Sequence, residues 1–293
     1  MQGSSGTLVE EPSSYSAASR RNMSYPLPLK LRDWIPLEKL HWEWLSSNPN
    51  AMHLLEQNHA KIDWEKLSSD PNAIHLLKKH PKKIVWSWLS VNPAAIQLLE
   101  QHPNKIKWWS LSMNPSAMHL LEKDPLRINW SGLSSNPSAI QLLEQHPEKI
   151  DWYWLSQNPA AMHILEQHPD KVDWCSLSFN PAAMHLLEQH PEKINWDWLS
   201  WNPNAIHLLE KHPEKINWHM LCFNTNAIEL LEQHPEKIKW NMLSENPSIF
   251  TYDYQTMKET RRALNEEVVQ RYWHPSRIET WLDTGMDVDE IAT

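Results

Sequence analysis

The chain is expected to be an all-α protein, an elongated α-solenoid of ten 22-residue two-helix repeats. Three observations predict this: a tryptophan that returns every 22 residues, apolar positions at helical spacing inside each period, and Asn-Pro and His-Pro pairs that start and stop helices. The tryptophans are Trp42, Trp64, Trp86, Trp108, Trp130, Trp152, Trp174, Trp196, Trp218 and Trp240, with no insertion or deletion between them. Ten units in register mean a repeat array, in which no unit buries its apolar stripe alone.

Each element of the unit follows from local rules. The residue before the tryptophan is often Asp or Asn, as at Asp63, Asn129 and Asp151, side chains that accept from the free N–H groups of a helix start. A short helix then carries Trp and, three residues on, Leu. Next comes Asn-Pro, such as Asn48-Pro49, in which Asn suits the cap and Pro the first helical position. A second helix of about nine residues follows, with Ala51, Met52, Leu54 and Leu55 forming one broad stripe. His-Pro, as at His80-Pro81, disfavours the α region before the proline and ends the helix. Lys-Ile then leads to the next tryptophan. A leucine-rich repeat is the structural rival, since its unit length covers 22 residues. Against it, the residue two before each Leu, which that motif needs apolar, runs Glu43, Glu65, Ser87, Trp109, Ser131.

The ends depart from the period. Residues 1–30 read as a flexible N-terminal arm, residues 31–249 as the solenoid, and residues 250–293 as a helical C-terminal cap or docking segment. Leu31 to Leu40 approximates half a repeat, with Lys39-Leu40 matching the Lys-Ile columns, so it reads as an N-terminal cap. Asp253 to Tyr272 reads as one longer amphipathic helix, Gly285 as the end of a last helix, and Asp287 to Glu290 as an acidic stretch.

Composition narrows the function classes. The formal net charge is -9, which opposes long-range attraction to nucleic acid or anionic membranes. Only 2 cysteines occur, Cys175 and Cys222, so no disulfide framework is expected and the compartment reads as reducing. No stretch resembles a signal peptide or a membrane span, which leads us to expect no secretion by signal peptide and no membrane insertion.

No chemistry stands out from the repeating background. There is no Gly-rich phosphate loop and no nucleophile motif. Of the 17 histidines, His75 and His80, His163 and His168, His185 and His190, and His207 and His212 lie five apart, off the i+3 and i+4 spacing of one helix face, and equivalent histidines of neighbouring units lie about 10 Å apart, too far to share a metal. No catalytic residue, metal or cofactor is expected. The Glu column (Glu56, Glu100, Glu122 and its successors) reads as a solvated face, aligned with the Lys or Arg at Trp+19 as a surface charge ladder. The Trp column reads as core.

The remaining tryptophans point to binding. Three columns on or beside the short helix vary and are aromatic in several units: Trp109 and Tyr153 at Trp+1; Trp44, Trp88, Trp154 and Trp198 at Trp+2; Phe179, Trp201 and Phe223 at Trp+5. An invariant scaffold with a variable aromatic edge is how repeat proteins present a recognition surface. These nine residues are the candidate partner-binding set, with other proteins as the partners. Local packing between units is the alternative reading of the same residues. Single-stranded nucleic acid, read one base per unit by stacking, is a further alternative, disfavoured by the lack of interleaved Arg and Lys and by the net charge.

The unit W-x-x-L-S-x-N-P-x-A-I-x-L-L-E-x-x-P-x-K-I, over about residues 40–249, resembles repeat proteins encoded by the nucleocytoplasmic giant DNA viruses. The end, L-N-E-E-V-V-Q-R-Y-W-H-P-S-R-I-E-T-W-L-D-T-G, looks like terminal segments from such genomes. The resemblance implies a non-enzymatic structural scaffold that is a minor capsid component among capsid proteins, in the virion or host cytoplasm, with a host-factor-binding protein as its rival. It brings no catalytic residues and leaves the oligomeric state open. Thr225 in place of Pro and Cys222 in place of Ser mark the ninth unit as atypical.

Overall fold

A computed structural model describes residues 27–272. Expectations for residues 1–26, for Gly285 and for the stretch Asp287 to Glu290 fall outside the described residues. Leu29–Tyr252 form one compact unit, and the residues flanking them belong to a second.

Within Leu29–Tyr252 each of the first nine 22-residue periods folds as two short helices, as the sequence predicts. In the fifth repeat the first helix is Trp130–Ser134, started by Asn129, whose side chain accepts from the Gly132 N–H. The second begins as a 3-10 turn, Pro137–Ala139, and continues as the α-helix Ile140–Gln145. A further 3-10 turn, Pro147–Lys149, carries the chain to the next tryptophan. The 3-10 start follows from the Asn-Pro pair: Asn136 Oδ1 accepts from Ser138 N at 2.9 Å and the Asn136 carbonyl from Ala139 N at 3.1 Å, which tightens the first turn. Leu133, Ala139 and Leu143 are fully buried, and their equivalents build one continuous core around all ten repeats. The leucine-rich alternative fails, since the described strands are Leu29–Leu31 and Phe250–Tyr252 and none of the first nine repeats contains a strand.

Two buried polar columns join neighbours. Serine at Trp+4 donates its hydroxyl to the carbonyl of its own tryptophan and accepts from the N–H ahead of the next one: Ser134 Oγ to Trp130 O is 2.8 Å, and Asp151 N to Ser134 Oγ is 3.0 Å. Asparagine at Trp+6 turns its amide backwards. Asn136 Nδ2 donates to Ser112 O and Asn114 O of the preceding repeat, both at 3.0 Å. With the exception of Asp70 Oδ2, every buried polar atom in these columns finds a partner, which makes burial of the group tolerable.

The same bonds recur between the last repeat and the first. Asn48 Nδ2 donates to Ser244 O and Asn246 O, both at 2.9 Å, and His41 N donates to Ser244 Oγ at 2.9 Å. Asn50 Nδ2 reaches Pro247 O at 3.0 Å, as Asn72 Nδ2 reaches Pro49 O one repeat later. Leu29–Tyr252 is therefore a closed ring. The all-α solenoid is as predicted, but its path is circular where an elongated one was expected. The reason is curvature. First helices pack on first helices of adjacent repeats more closely than second helices do on theirs, so every junction bends the same way, and the bend sums to a full turn after ten. With helices about 8–10 Å apart, ten of them give a circumference of ~80–100 Å at the first helices.

The tenth repeat is shared between the two ends of the ring. Its first helix, Trp240–Leu243, and its Pro247–Ile249 turn come from the C-terminal side. Its last turn, Leu37–Lys39, and the apolar seam residue Leu40, 5% exposed, come from the N-terminal side. Where other repeats have a second helix, Leu29–Leu31 pairs antiparallel with Phe250–Tyr252, Lys30 opposite Thr251. The half repeat read as an N-terminal cap thus completes the array rather than ending it. In the flanking unit Tyr254–Tyr272 is the expected long helix, its start held by Asp253, which accepts from Thr256 N at 3.0 Å.

Candidate functional site

The first helices line the inner side of the ring, because side chains two repeats apart meet there. Trp44 of the first repeat and Phe223 of the ninth bring their ring centroids within 6.0 Å across the tenth. The Trp+2 and Trp+5 columns therefore face inward, and five of the nine predicted residues form one row. Phe179 contacts Trp198 and Trp201 edge-on, with centroids 6.1 and 4.9 Å apart. Trp198 stacks on Trp201 at 6.1 Å with 15° between planes, and Trp201 meets Phe223 at 4.9 Å. The row continues to Trp44, over which Lys66 places its ammonium 3.9 Å from the ring centroid. That is cation–π distance. All five rings are half-buried.

The other four predicted residues lie apart from this row. Tyr153 and Trp154 meet edge-on at 5.3 Å. Trp88 donates its indole N–H to Glu65 of the preceding repeat at 2.8 Å, and Trp88, Trp109 and Tyr153 are 44%, 51% and 47% exposed. Where the Trp+2 column holds small residues it is buried: Ser110, Gly132 and Ser176 lie under their neighbours. At Gly132 a Cβ would come 2.9 Å from the Trp109 carbonyl oxygen, so that repeat has no room for the side chain its counterparts carry.

Expectations for the repeated columns need two corrections. The Trp column is half-buried rather than core. Its ring meets the histidine 16 residues on, as Trp174 meets His190 at 5.0 Å, and the lysine 19 residues on, as Lys193 lies 4.2 Å over Trp174. Even at the ring junction Lys39 sits over Trp240, 4.9 Å away. The Glu column, in turn, pairs with histidine of the following repeat and not with that lysine: Glu56 with His75 at 2.6 Å, Glu144 with His163 at 2.8 Å, Glu188 with His207 at 2.7 Å. Five histidines thus form a lateral ladder and seven sit on tryptophan. Among the described residues no group of three or more His, Cys, Asp or Glu is placed to hold a metal, and no helix is long and apolar enough to cross a membrane.

Sequence reasoning missed the serine and asparagine ladders as inter-repeat bonds. The signal was there: two small polar columns, nearly unvarying through ten repeats, in the midst of Leu and Ala columns. It also missed that the inward row crosses the junction between the chain's two ends. No protein-family model, curated protein or solved structure matches this chain.

Proposed function

We propose that the protein is a non-enzymatic ring scaffold that binds other proteins through its inner aromatic row. The observation that carries this reading is the run Phe179–Trp198–Trp201–Phe223–Trp44, half-buried side chains in contact that come from the seventh, eighth, ninth and first repeats, where the scaffold requires no aromatic residue: the same columns accept Ser47, Ser69, Ser110 and Gly132 elsewhere. Apolar rings with open faces and a polar handle are the residues that dominate protein interfaces. The resemblance to giant-virus repeat proteins supports a setting as a minor component of a large DNA virus particle, in contact with capsid proteins.

Replacing Trp44, Trp88, Trp154 and Trp198 together with Ser tests the aromatic edge. The ring should keep its far-ultraviolet circular dichroism and cooperative melting while losing partners that the wild type retains in affinity capture. Loss of cooperative melting would instead make these residues packing elements. Proteomics of purified particles tests the setting: stoichiometric presence supports a capsid role, and absence turns the case to a host-factor-binding protein.

A further inference from the structure

The second and third repeats carry a groove unlike the others. It is a cavity of about 750 Å³ between their second halves, with Ile84, Trp86 and Leu98 as an apolar floor and Lys78, Lys82 and Lys105 at its margin. The sequence shows how its charge arose. Lys78 stands where all eight other repeats that have this position carry Glu, from Glu56 to Glu232, and Lys82 where the fifth to ninth carry Glu148, Asp170, Glu192, Glu214 and Glu236. The lateral ladder is also interrupted here. Opposite Lys78 the third repeat has Gln97, as the fifth has Gln141 opposite Glu122, where five other repeats place a histidine on glutamate.

Three details make the groove receptive. Among the described residues no carboxylate pairs with the ammonium groups of Lys78, Lys82 or Lys105. Lys105, unlike Lys171, Lys193 and Lys215 but like Lys83 and Lys237, is not seated on its tryptophan, and the Trp86 ring lines the groove with His102 edge-on against it at 5.2 Å. Three uncompensated positive charges also sit on a chain of net charge -9. Like charges held together around an apolar floor raise one another's energy, and an anion that brings its own apolar group relieves both.

We infer that this groove binds an acidic peptide segment, with a bulky apolar side chain on Trp86, Ile84 and Leu98 and flanking carboxylates on Lys78, Lys82 and Lys105. A protein segment fits better than nucleic acid, since its few charges are met locally while a polyanion would feel the acidic remainder of the ring. The site uses none of the nine aromatic residues of the inner and neighbouring edges, so it stands or falls apart from the function proposed above.

Fluorescence polarisation with the full chain and a labelled decapeptide of Glu and Asp around a central leucine tests the inference. A peptide with the acids replaced by serine is the control. Binding is expected at least tenfold tighter than the control and weaker with added salt. The double variant Lys78→Glu, Lys82→Glu, which restores acids that other repeats carry and so should fold, is expected to lose that difference, and the neutral pair Lys78→Gln, Lys82→Gln to lose part of it. Equal binding of acidic and serine peptides, or unchanged binding by the folded glutamate variant, would overturn the proposal. So would a single-stranded oligonucleotide that binds tighter than the peptide and is released by the same variant, since the groove would then be a phosphate site.

Discussion

Asparagine at Trp+6 holds both its own repeat and the one before it, and Asp70 shows what happens when the amide is missing. In nine repeats the side-chain oxygen caps a 3-10 turn and the NH₂ donates to two carbonyls behind. Asp70 keeps the first bond, accepting from Asn72 N at 2.9 Å, but its Oδ2 is buried without a partner, and the Ser46 and Asn48 carbonyls lose their amide donor. Burial raises the Asp70 pKa above the ordinary carboxylate value, against the lowering effects of the Asn72 N–H and nearby His75. A raised folded-state pKa means that the fold favours the protonated acid. Its contribution to stability is complete below the unfolded pKa and is lost as pH rises through the folded one. Asp70→Asn should therefore stabilise the ring at neutral pH, by about 1–3 kcal/mol for a buried polar group restored to its bonds, and the gain should shrink on acidification. Paired urea titrations across pH check this; a gain that grows toward low pH would refute it. Cys222 is a milder departure in the serine column. Its Sγ keeps both contacts at greater length, 3.2 Å to Trp218 O and 3.4 Å from Lys239 N, so Cys222→Ser should be neutral or stabilising by up to about 1 kcal/mol in the same assay.

The helices themselves were legible from sequence because their signals are local. Asn-Pro, His-Pro and an apolar stripe specify a start, a stop and a buried face within one period, and the observed elements follow them. The fate of the tryptophan was not legible, since spacing gives a side chain's helical face but not what the next repeat lays over it. Here that is a histidine edge and a lysine head, which leave the ring half-buried. The aromatic edge was identified by its variability, yet its division into an inward row and outlying residues depended on curvature that one repeat does not encode. Space on the first helix also differs between repeats. Gly132→Trp would give the fifth repeat the residue that Trp154 supplies in the sixth, but a Cβ there approaches the Trp109 carbonyl oxygen and the Met113 side chain. Overpacking of this kind costs about 1–3 kcal/mol. A lowered denaturation midpoint with an unchanged slope is the expected result; an unaltered midpoint would mean that the first helix shifts freely.

Closure is a property of all ten repeats together. A uniform bend of roughly 36° at each junction, a full turn divided by ten repeats, returns the chain to its start, and no single unit reveals so small an angle in its sequence. The clue lay at the ends: Lys39-Leu40 and Trp240 each looked like part of a repeat, and each supplies what the other lacks. Removing residues 1–41 should therefore open the ring, exposing the Ser244 and Asn246 carbonyls and the Ile249–Phe250 core edge. Small-angle X-ray scattering should show a larger radius of gyration, and thermal melting a lower and broader transition as the array becomes an open stack. A truncated chain with the wild-type radius and melting profile would mean that closure does not depend on this segment.

The strand pair that fastens the ring also sets a schedule. Leu29–Leu31 is made early and its partner Phe250–Tyr252 late, so at a synthesis rate of about 5–20 residues per second the first strand waits roughly 10–45 s for the second. Intervening repeats can stack on their predecessors as they emerge, but the circle has an open gap throughout that interval. A partner that needs the faces of the first and ninth repeats that closure covers has its opportunity then, during translation, while the molecule is still an arc.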